Sequence, residues 1–174
     1  MRDYKVFYRE AKGQTTRIYC DMDGVLCDFM VQAKKATGKT FTQDKSGEYW
    51  AVIKNTPNFW SNMPWMSDGQ RLWNYISKYE PHILSAYTPE DPNCIPGKEK
   101  WLRRNIKVAS NRTNIVRRKD KSNFAMKSGE FKQPAILIDD YPKNITQFKA
   151  AGGIGILHTG ASKTISELKR LGFW

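Results

Sequence analysis

The chain has 174 residues, enough for one domain with a substantial core and a small insertion, and it contains no apolar stretch long enough to cross a bilayer. Its three cysteines show no C-x-x-C spacing and are accompanied by only two histidines, which argues against a zinc site. The formal net charge of +12 favours partners that carry phosphate groups, because a basic surface raises their local concentration.

The first sixteen residues are charged and mixed, and they lack the basic-then-apolar layout of a secretory signal. We therefore expect a cytoplasmic protein in which residues 1–16 form an N-terminal extension.

Apolar runs of strand-forming residues then alternate with helix-like segments, which predicts an α/β fold with a parallel sheet flanked by helices. Most of these runs are apolar on both faces, as central parallel strands are. The predicted strands cover residues 17–20, 82–85, 114–116, 135–138 and 154–158.

The helices are predicted from apolar spacing and from their end signals. Ser67 and Gln70 have the spacing of a capping box at the start of an amphipathic segment, 67–79. Pro142 has a favourable first-turn position before another helix. The further predicted helices cover residues 98–105, 143–151 and 162–171.

Residues 30–66 interrupt this alternation, because they are rich in aromatic side chains and contain no clear parallel strand. We predict that this segment is a small helical cap, inserted after the first strand and packed over its end. The core would then comprise residues 17–29 and 67–174.

Two stretches look like phosphate-binding loops but lack the required context. In "AKKATGKT" (33–40) the preceding residues look helical and Gly38 is expected to end that helix, whereas a true phosphate loop follows a strand. "GGIGIL" (152–157) runs from a helix into a strand, the reverse of a dinucleotide fingerprint. Neither stretch is predicted to bind phosphate.

Two pairs of carboxylates follow apolar runs. In "IYCDMDGV", Asp21 and Asp23 lie two residues apart and project from the same face, at the edge where open α/β sheets bind ligands. Gly24 lets the backbone turn sharply there. This pair alone could equally be a turn in which aspartates bind backbone amides.

The second pair, Asp139 and Asp140 in "AILIDDY", changes that balance. Four acidic groups in one crevice cannot all ionise at low cost without a cation. Mg²⁺ would resolve the conflict, because it prefers oxygen ligands and commonly combines carboxylates, waters and a substrate phosphate. The sequence therefore predicts a Mg²⁺ site.

From residue 17 onward the chain resembles the haloacid dehalogenase superfamily of phosphohydrolases. The motifs are "DMDGV", a strand-end hydroxyl in "HILSAY", a lysine in "RKDKSNFA" and "ILIDD", in the order that the family has. The resemblance implies a Rossmann-like core. It also implies hydrolysis through an aspartyl-phosphate, which divides one difficult reaction into two easier steps.

The resemblance implies a role for each motif residue. Asp21 would be the nucleophile, Asp23 the acid and base, Ser85 a hydrogen-bond partner of the phosphoryl group, and Lys121 its counter-charge. The implied Mg²⁺ ligands are Asp21, the backbone carbonyl of Asp23, Asp139 and Asp140.

Two of these positions have alternatives. Thr88 in "AYTP" could supply the hydroxyl instead of Ser85, although Ser85 ends the apolar run. Lys98 in "PGKEKW" could supply the lysine instead of Lys121, or could contact the phosphate or the substrate.

Within the superfamily, "DMDGVLCDF", "TPNFW", "GKEKW" and "KDK" are similar to motifs of the 5'(3')-deoxyribonucleotidases. That likeness implies that Phe29, Phe59 and Trp60 enclose a nucleobase, although Phe59 and Trp60 could instead fill the core of the cap. Lys119 stands where the group has a substrate-holding arginine. Tyr49, Trp50 and Trp65 are expected in the core.

The expected activity is Mg²⁺-dependent hydrolysis of (deoxy)ribonucleoside monophosphates or another small phosphomonoester, with no membrane partner. The basic run 112–121 keeps nucleic acid open as a partner. The alternatives are a polynucleotide end phosphatase and a nucleic-acid-binding protein on an inactive scaffold.

Overall fold

The structure, a computed structural model, describes residues 16–42, 46–126 and 133–174. Five parallel strands form one sheet in the order β3-β2-β1-β4-β5. They are β1 (Ile18–Cys20), β2 (His82–Ala86), β3 (Thr113–Val116), β4 (Ile136–Asp139) and β5 (Ile154–Leu157). All five predicted strands are confirmed, with ends that agree within one residue. The predicted N-terminal extension lies outside the described residues except for Thr16.

Six α-helices are present in the described ranges. They are α1 (Phe29–Thr37), α2 (Ser46–Asn55), α3 (Gly69–Ile76), α4 (Cys94–Asn105), α5 (Pro142–Ala150) and α6 (Ala161–Arg170). No helix of the described residues has both the length and the apolar character needed to cross a membrane.

Local signals explain most helix ends, but the predicted capping box is wrong. The side chain of Asp28 accepts a hydrogen bond from the Val31 amide and caps α1, and Gly38, with φ 72°, ends it as predicted. Helix α3 begins at Gly69, and Asp68 makes no capping bond to it. Asp68 instead accepts a hydrogen bond from the Ala161 amide at 2.6 Å, so it caps α6.

Helix α4 begins at Cys94, four residues before its predicted start. Pro96 fits in the first turn, because an amide there has no partner within the helix. A Cβ atom at Gly97 would lie 2.6 Å from Cβ of Trp60. Glycine at this position therefore lets α4 approach Trp60 closely.

The strands are apolar on both faces because each face of the sheet carries its own hydrophobic cluster. Ile18 and Cys20 lie in the larger cluster, which includes side chains of α3, α4 and α6. Tyr19 points to the other face, where Phe148 of α5 packs. This burial on both sides is typical of parallel sheets.

Within residues 30–66, the described part forms α1, α2 and a short 3₁₀ turn, Trp60–Asn62, and contains no strand. Phe59 and Trp60 lie in the same hydrophobic cluster as Trp101 of α4. The segment thus packs directly against the core helices, and its separation as a cap stays a prediction.

Candidate active site

The carboxyl ends of four strands open onto a cavity of about 900 Å³, here called the cleft. Asp21 follows β1, Tyr87 follows β2, Arg117 follows β3 and Asp140 follows β4, and all four line it. This is the edge at which open α/β sheets bind ligands.

Three carboxylates meet at the carboxyl ends of β1 and β4. Oxygen atoms of Asp21, Asp139 and Asp140 lie within 4.8 Å of one another. A Cβ atom at Gly24 would lie 2.1 Å from Oδ2 of Asp140, and Gly24 has φ 75°. Glycine after the first acidic pair therefore provides both the left-handed turn and the space for the Asp140 carboxylate.

Desolvation, together with crowding of like charges, raises the pKa of two carboxyls. Partial removal from water raises the pKa of Asp140 to about 7, and the negative charges of Asp21 and Asp139 add to the effect. Burial, followed by the charge of Asp21, likewise raises the pKa of Asp139. The cluster has the electrostatic character of a site that favours a cation.

Lys121 forms ion pairs with two of the carboxylates in this cluster. Its Nζ atom lies 3.0 Å from Oδ2 of Asp21 and 2.7 Å from Oδ2 of Asp139, and the side chain is almost fully buried. Burial by itself would lower the pKa of Lys121, but the two carboxylates outweigh it and raise that pKa. The lysine is therefore a fixed positive charge beside Asp21.

Lys98 forms a second buried ion pair, with Asp23. Its Nζ atom donates to Oδ2 of Asp23 at 2.7 Å, to Oγ of Ser85 at 3.0 Å and to the carbonyl of Ala86 at 2.6 Å. Burial would lower the pKa of Lys98, whereas the charge of Asp23 raises it above its ordinary value. Each lysine thus serves a different carboxylate of the first motif.

The two candidate hydroxyls lie in different places. Ser85 is fully buried beside Lys98 and does not line the cleft, whereas Thr88 lines it. Lys98 also lies behind the cleft wall, while Lys121 lines the cleft. The structure therefore brings Ser85 and Lys98 together as supports of Asp23.

Aromatic side chains from the segment after β1 form part of the cleft wall. Phe29 and Trp60 line the cleft and stack with ring centroids 5.8 Å apart. Phe59 packs edge to face against both rings but does not line the cleft. Trp50 was expected in the core, but it lies in this wall and stacks with Trp60.

Phe29, Trp50 and Trp60 are here called the aromatic wall. Trp60 also contacts the polar part of the site. Its Nε1 atom donates to Oδ2 of Asp91 at 2.7 Å, and the Lys98 Nζ atom lies 5.2 Å from its ring centroid. A cation at this distance over an indole ring is favourable. Trp60 therefore contacts the lysine that holds Asp23.

The sequence analysis missed several residues of the cleft. Arg117 and Arg118 line it beside Lys119, the one residue of this run named as a substrate contact. Asn144, in the first turn of α5, also lines it and donates to Oδ2 of Asp139 at 2.9 Å. The basic run gave a signal for the arginines, but Asn144 carries no motif of its own.

The sequence matches no protein-family model and no curated protein. Among solved structures, a hydrolase from Streptococcus pneumoniae TIGR4 is similar with a TM-score of 0.56 and 16% sequence identity, over 89% of this chain and 99% of that chain. A Had-superfamily hydrolase from Ehrlichia chaffeensis gives a TM-score of 0.50 and 10% identity, over 91% of this chain and 98% of its own.

This chain has the fold of the haloacid dehalogenase hydrolases. The predicted class, a Rossmann-like parallel sheet flanked by helices, is confirmed. At these identities the likeness shows the fold alone, so activity and membership in the deoxyribonucleotidase subgroup stay predictions.

Proposed function

We propose that this chain is a Mg²⁺-dependent phosphomonoesterase that hydrolyses (deoxy)ribonucleoside monophosphates through an aspartyl-phosphate. The observation that supports this most strongly is the arrangement around Asp21. Its carboxylate lies at a strand end in the cleft, pairs with Lys121 at 3.0 Å and lies close to Asp139 and Asp140. A nucleophile, a counter-charge and a cation site are thereby combined.

The donor set fits Mg²⁺, because Asp21, Asp139 and Asp140 offer closely spaced carboxylate oxygens. The backbone carbonyl of Asp23 would be a fourth ligand. Asn144 adds a further polar atom beside this set, since its buried Oδ1 has no hydrogen-bond partner among the described residues. The bound ion would supply positive charge that stabilises the phosphoryl oxygens.

In the first step, a carboxylate oxygen of Asp21 attacks phosphorus and the bond to the leaving oxygen breaks. The Met22 amide donates to Oδ1 of Asp21 at 2.7 Å and Lys121 pairs with Oδ2, so both oxygens are held in place. Lys121 balances charge on the transferring group. The products are an aspartyl-phosphate and an alcohol that takes its proton from Asp23.

In the second step, Asp23 accepts a proton from water as the water oxygen attacks the aspartyl-phosphate. Inorganic phosphate leaves and the Asp21 carboxylate is regenerated. The pair with Lys98 at 2.7 Å holds the Asp23 side chain in one orientation, and Ser85 is a further partner of that lysine. Such a positioned group is what acid and base catalysis needs.

The aromatic wall supports a nucleotide as the substrate. Phe29 and Trp50 offer partly exposed aromatic surface in the cleft that holds Asp21, and the almost fully buried Trp60 stacks on both. Every nucleobase has a face that can stack on such rings. Phe59 would act by supporting these rings, and Lys119, which lines the cleft after β3, would contact the substrate.

The test is phosphate release from the five common deoxyribonucleoside monophosphates and from p-nitrophenyl phosphate, with Mg²⁺ or with EDTA. We expect Mg²⁺-dependent release that Asp21→Asn abolishes. Glu167→Gln is the matched control, because it makes the same carboxylate-to-amide change at a partly exposed position of α6, outside the cleft.

Each other outcome would contradict a defined part of the proposal. Release from p-nitrophenyl phosphate without release from any nucleotide would contradict the substrate class. Release that persists in Asp21→Asn would contradict the nucleophile, and release in EDTA would contradict the dependence on Mg²⁺.

A further inference from the structure

The cleft contains three basic side chains that the acidic cluster does not neutralise. Arg117, Arg118 and Lys119, here called the basic rim, follow β3 directly and line the cleft. Within residues 16–42, 46–126 and 133–174, none of the three forms an ion pair with a carboxylate. Adjacent cations on one wall of a cleft favour an anionic ligand.

Aromatic side chains that follow β2 and β4 contact both arginines. Nε of Arg117 donates to the Tyr87 hydroxyl at 3.3 Å, and the guanidinium of Arg118 lies 4.9 Å from the ring centroid of Tyr141. The contact of Arg117 uses Nε, so its terminal nitrogens can still donate. A guanidinium fixed in this way suits bidentate hydrogen bonds to a phosphate group.

The basic rim lies across the strand ends that carry the reactive carboxylates. In the sheet, β2 and β1 separate β3 from β4. The chain after β3 nevertheless reaches β4, because Lys121 pairs with Asp139 and Arg118 lies over Tyr141. Three strand spacings of about 4.8 Å separate β3 from β4, so the chain after β3 spans about 14 Å across the ends of β2 and β1.

A substrate with a single phosphate would leave Arg117 and Arg118 of the basic rim without an anionic partner. The group to be transferred is taken by Asp21, Lys121 and the predicted cation, and a neutral nucleoside has no further charge for the arginines to bind. The cleft, at about 900 Å³, lies near the upper end of the roughly 300–1,000 Å³ found for small-molecule sites. It therefore has space for a second charged group.

We propose that the basic rim is a second anion subsite, and that phosphomonoesters carrying a further phosphate group bind more tightly than nucleoside monophosphates. A nucleoside 3',5'-bisphosphate and a phosphate-ended oligonucleotide both have this chemistry. The inference rests on the proposed function for the scissile phosphate, and it extends the proposed substrates to esters with a second phosphate group.

The experiment measures binding by calorimetry in Asp21→Asn protein, so that hydrolysis cannot interfere. The ligands are thymidine 5'-monophosphate, thymidine 3',5'-bisphosphate and a 3'-phosphorylated tetrathymidylate. The test variant is Arg117→Ala/Arg118→Ala. Its matched control is Arg103→Ala/Arg170→Ala, which removes the same charge from exposed helix positions that pair with Glu99 and Glu167.

We expect the second phosphate to tighten binding about tenfold, as a charge-assisted bidentate contact would. The rim variant should lose this advantage and the control should keep it. If the tetrathymidylate shows the rim-dependent advantage and the bisphosphate does not, the second phosphate belongs to a nucleic-acid chain; the reverse result assigns it to a bisphosphate.

Equal affinity for the mono- and bisphosphate ligands, with no advantage for the tetrathymidylate, would overturn the inference. Equal losses in the two double variants would also overturn it, because they would show only the effect of net charge. Turnover by the unsubstituted protein keeps the two proposals apart. Absence of any hydrolysis, with rim-dependent binding intact, would reject the proposed activity and leave the second subsite standing.

Discussion

Asp23 and Asp21 are two residues apart, yet each has its own buried lysine. Lys121 lies between Asp21 and Asp139, whereas Lys98 reaches Asp23 from α4. Under the proposed mechanism, Lys121 serves the phosphoryl group and Lys98 serves only Asp23, which is the acid of the first step and the base of the second. A substitution at Lys98 should therefore affect the first step according to how much the leaving group needs a proton.

We expect Lys98→Met to lower kcat for a nucleotide by about 10- to 100-fold, because positioned acid and base groups contribute about 10²- to 10⁴-fold and this variant misplaces one without removing it. The first step with p-nitrophenyl phosphate should lose much less, since its leaving group needs little protonation, whereas the second step needs Asp23 as base for either substrate. Single-turnover measurement of nucleoside or p-nitrophenol release, which reports the first step, checks this prediction.

The control for this prediction is Lys100→Met, an exposed position on the same helix, which should leave both rates unchanged. Lys98→Met should also destabilise the protein by about 1–3 kcal/mol. This is less than the loss of a partner from a fully buried pair, because the Asp23 side chain stays 30% exposed. Equal losses of first-step rate on both substrates would assign Lys98 a purely structural role.

At the scale of elements, the approach of α4 to the turn at Trp60 sets the position of the aromatic wall. Gly97 allows contact with the backbone end of the Trp60 side chain, and Asp91 binds the indole nitrogen. Trp60 is thus held at both ends, and it stacks on Phe29 and Trp50. The wall should respond to a change in helix packing.

We expect Gly97→Ala to destabilise the protein by about 1–2 kcal/mol, because overpacking costs about 1–3 kcal/mol and the better helix propensity of alanine offsets part of it. The KM for nucleotides should rise as Trp60 shifts. Gly47→Ala in α2 is the control, since a Cβ atom there meets nothing within 4 Å. Denaturant unfolding and kinetics test both variants, and an unchanged or raised stability of Gly97→Ala would contradict the packing argument.

Over the whole molecule, strands were easier to predict than the placement of side chains around the cleft. The apolar runs that end at Cys20 and Asp139 are buried on both faces, so their composition alone indicated central strands. The convergence of the two acidic pairs could then be predicted, because the carboxyl ends of parallel strands meet at one edge of the sheet. Gly38 ended α1 as predicted, because a left-handed residue is a local requirement.

The errors arose where contacts with elements distant in sequence decide the position of a side chain. Asp68 caps α6 and not its own helix, which no local pattern reveals. Trp50 was expected in the core and lies in the cleft wall. The role of Lys98 as a phosphate or substrate contact stays a prediction, because the direction of its side chain depends on how α4 packs against Trp60 and the end of β2.

The acidic cluster should also control how the stability of the whole protein depends on pH. The carboxyl of Asp140 has a pKa of about 7 in the folded protein and an ordinary value of 3.8. Between these values the folded state binds a proton that the unfolded state has released. Stability from this group is therefore complete below about pH 4 and is lost as pH rises through 7.

Histidines contribute with the opposite sign in part of this range. Burial lowers the pKa of His158, and burial with nearby arginines lowers that of His82 to about 4. Both contributions are complete above 6.5, the ordinary value, and decline as pH falls. The difference between the unsubstituted protein and Asp140→Asn isolates the carboxyl, because both proteins contain the same histidines.

We expect Asp140→Asn to stabilise the protein in EDTA above about pH 7, where the acidic cluster of the unsubstituted protein has an unfavourable third carboxylate charge, and to leave stability near pH 4 unchanged. Mg²⁺ should raise the melting temperature of the unsubstituted protein, and more at pH 8 than at pH 6, because the cation competes with the proton. A Mg²⁺ concentration of a hundred times Kd would raise the free energy of unfolding by about 2.7 kcal/mol. Thermal unfolding across pH, with and without Mg²⁺, tests both statements. A Mg²⁺ effect that is equal in Asp140→Asn would place the cation elsewhere.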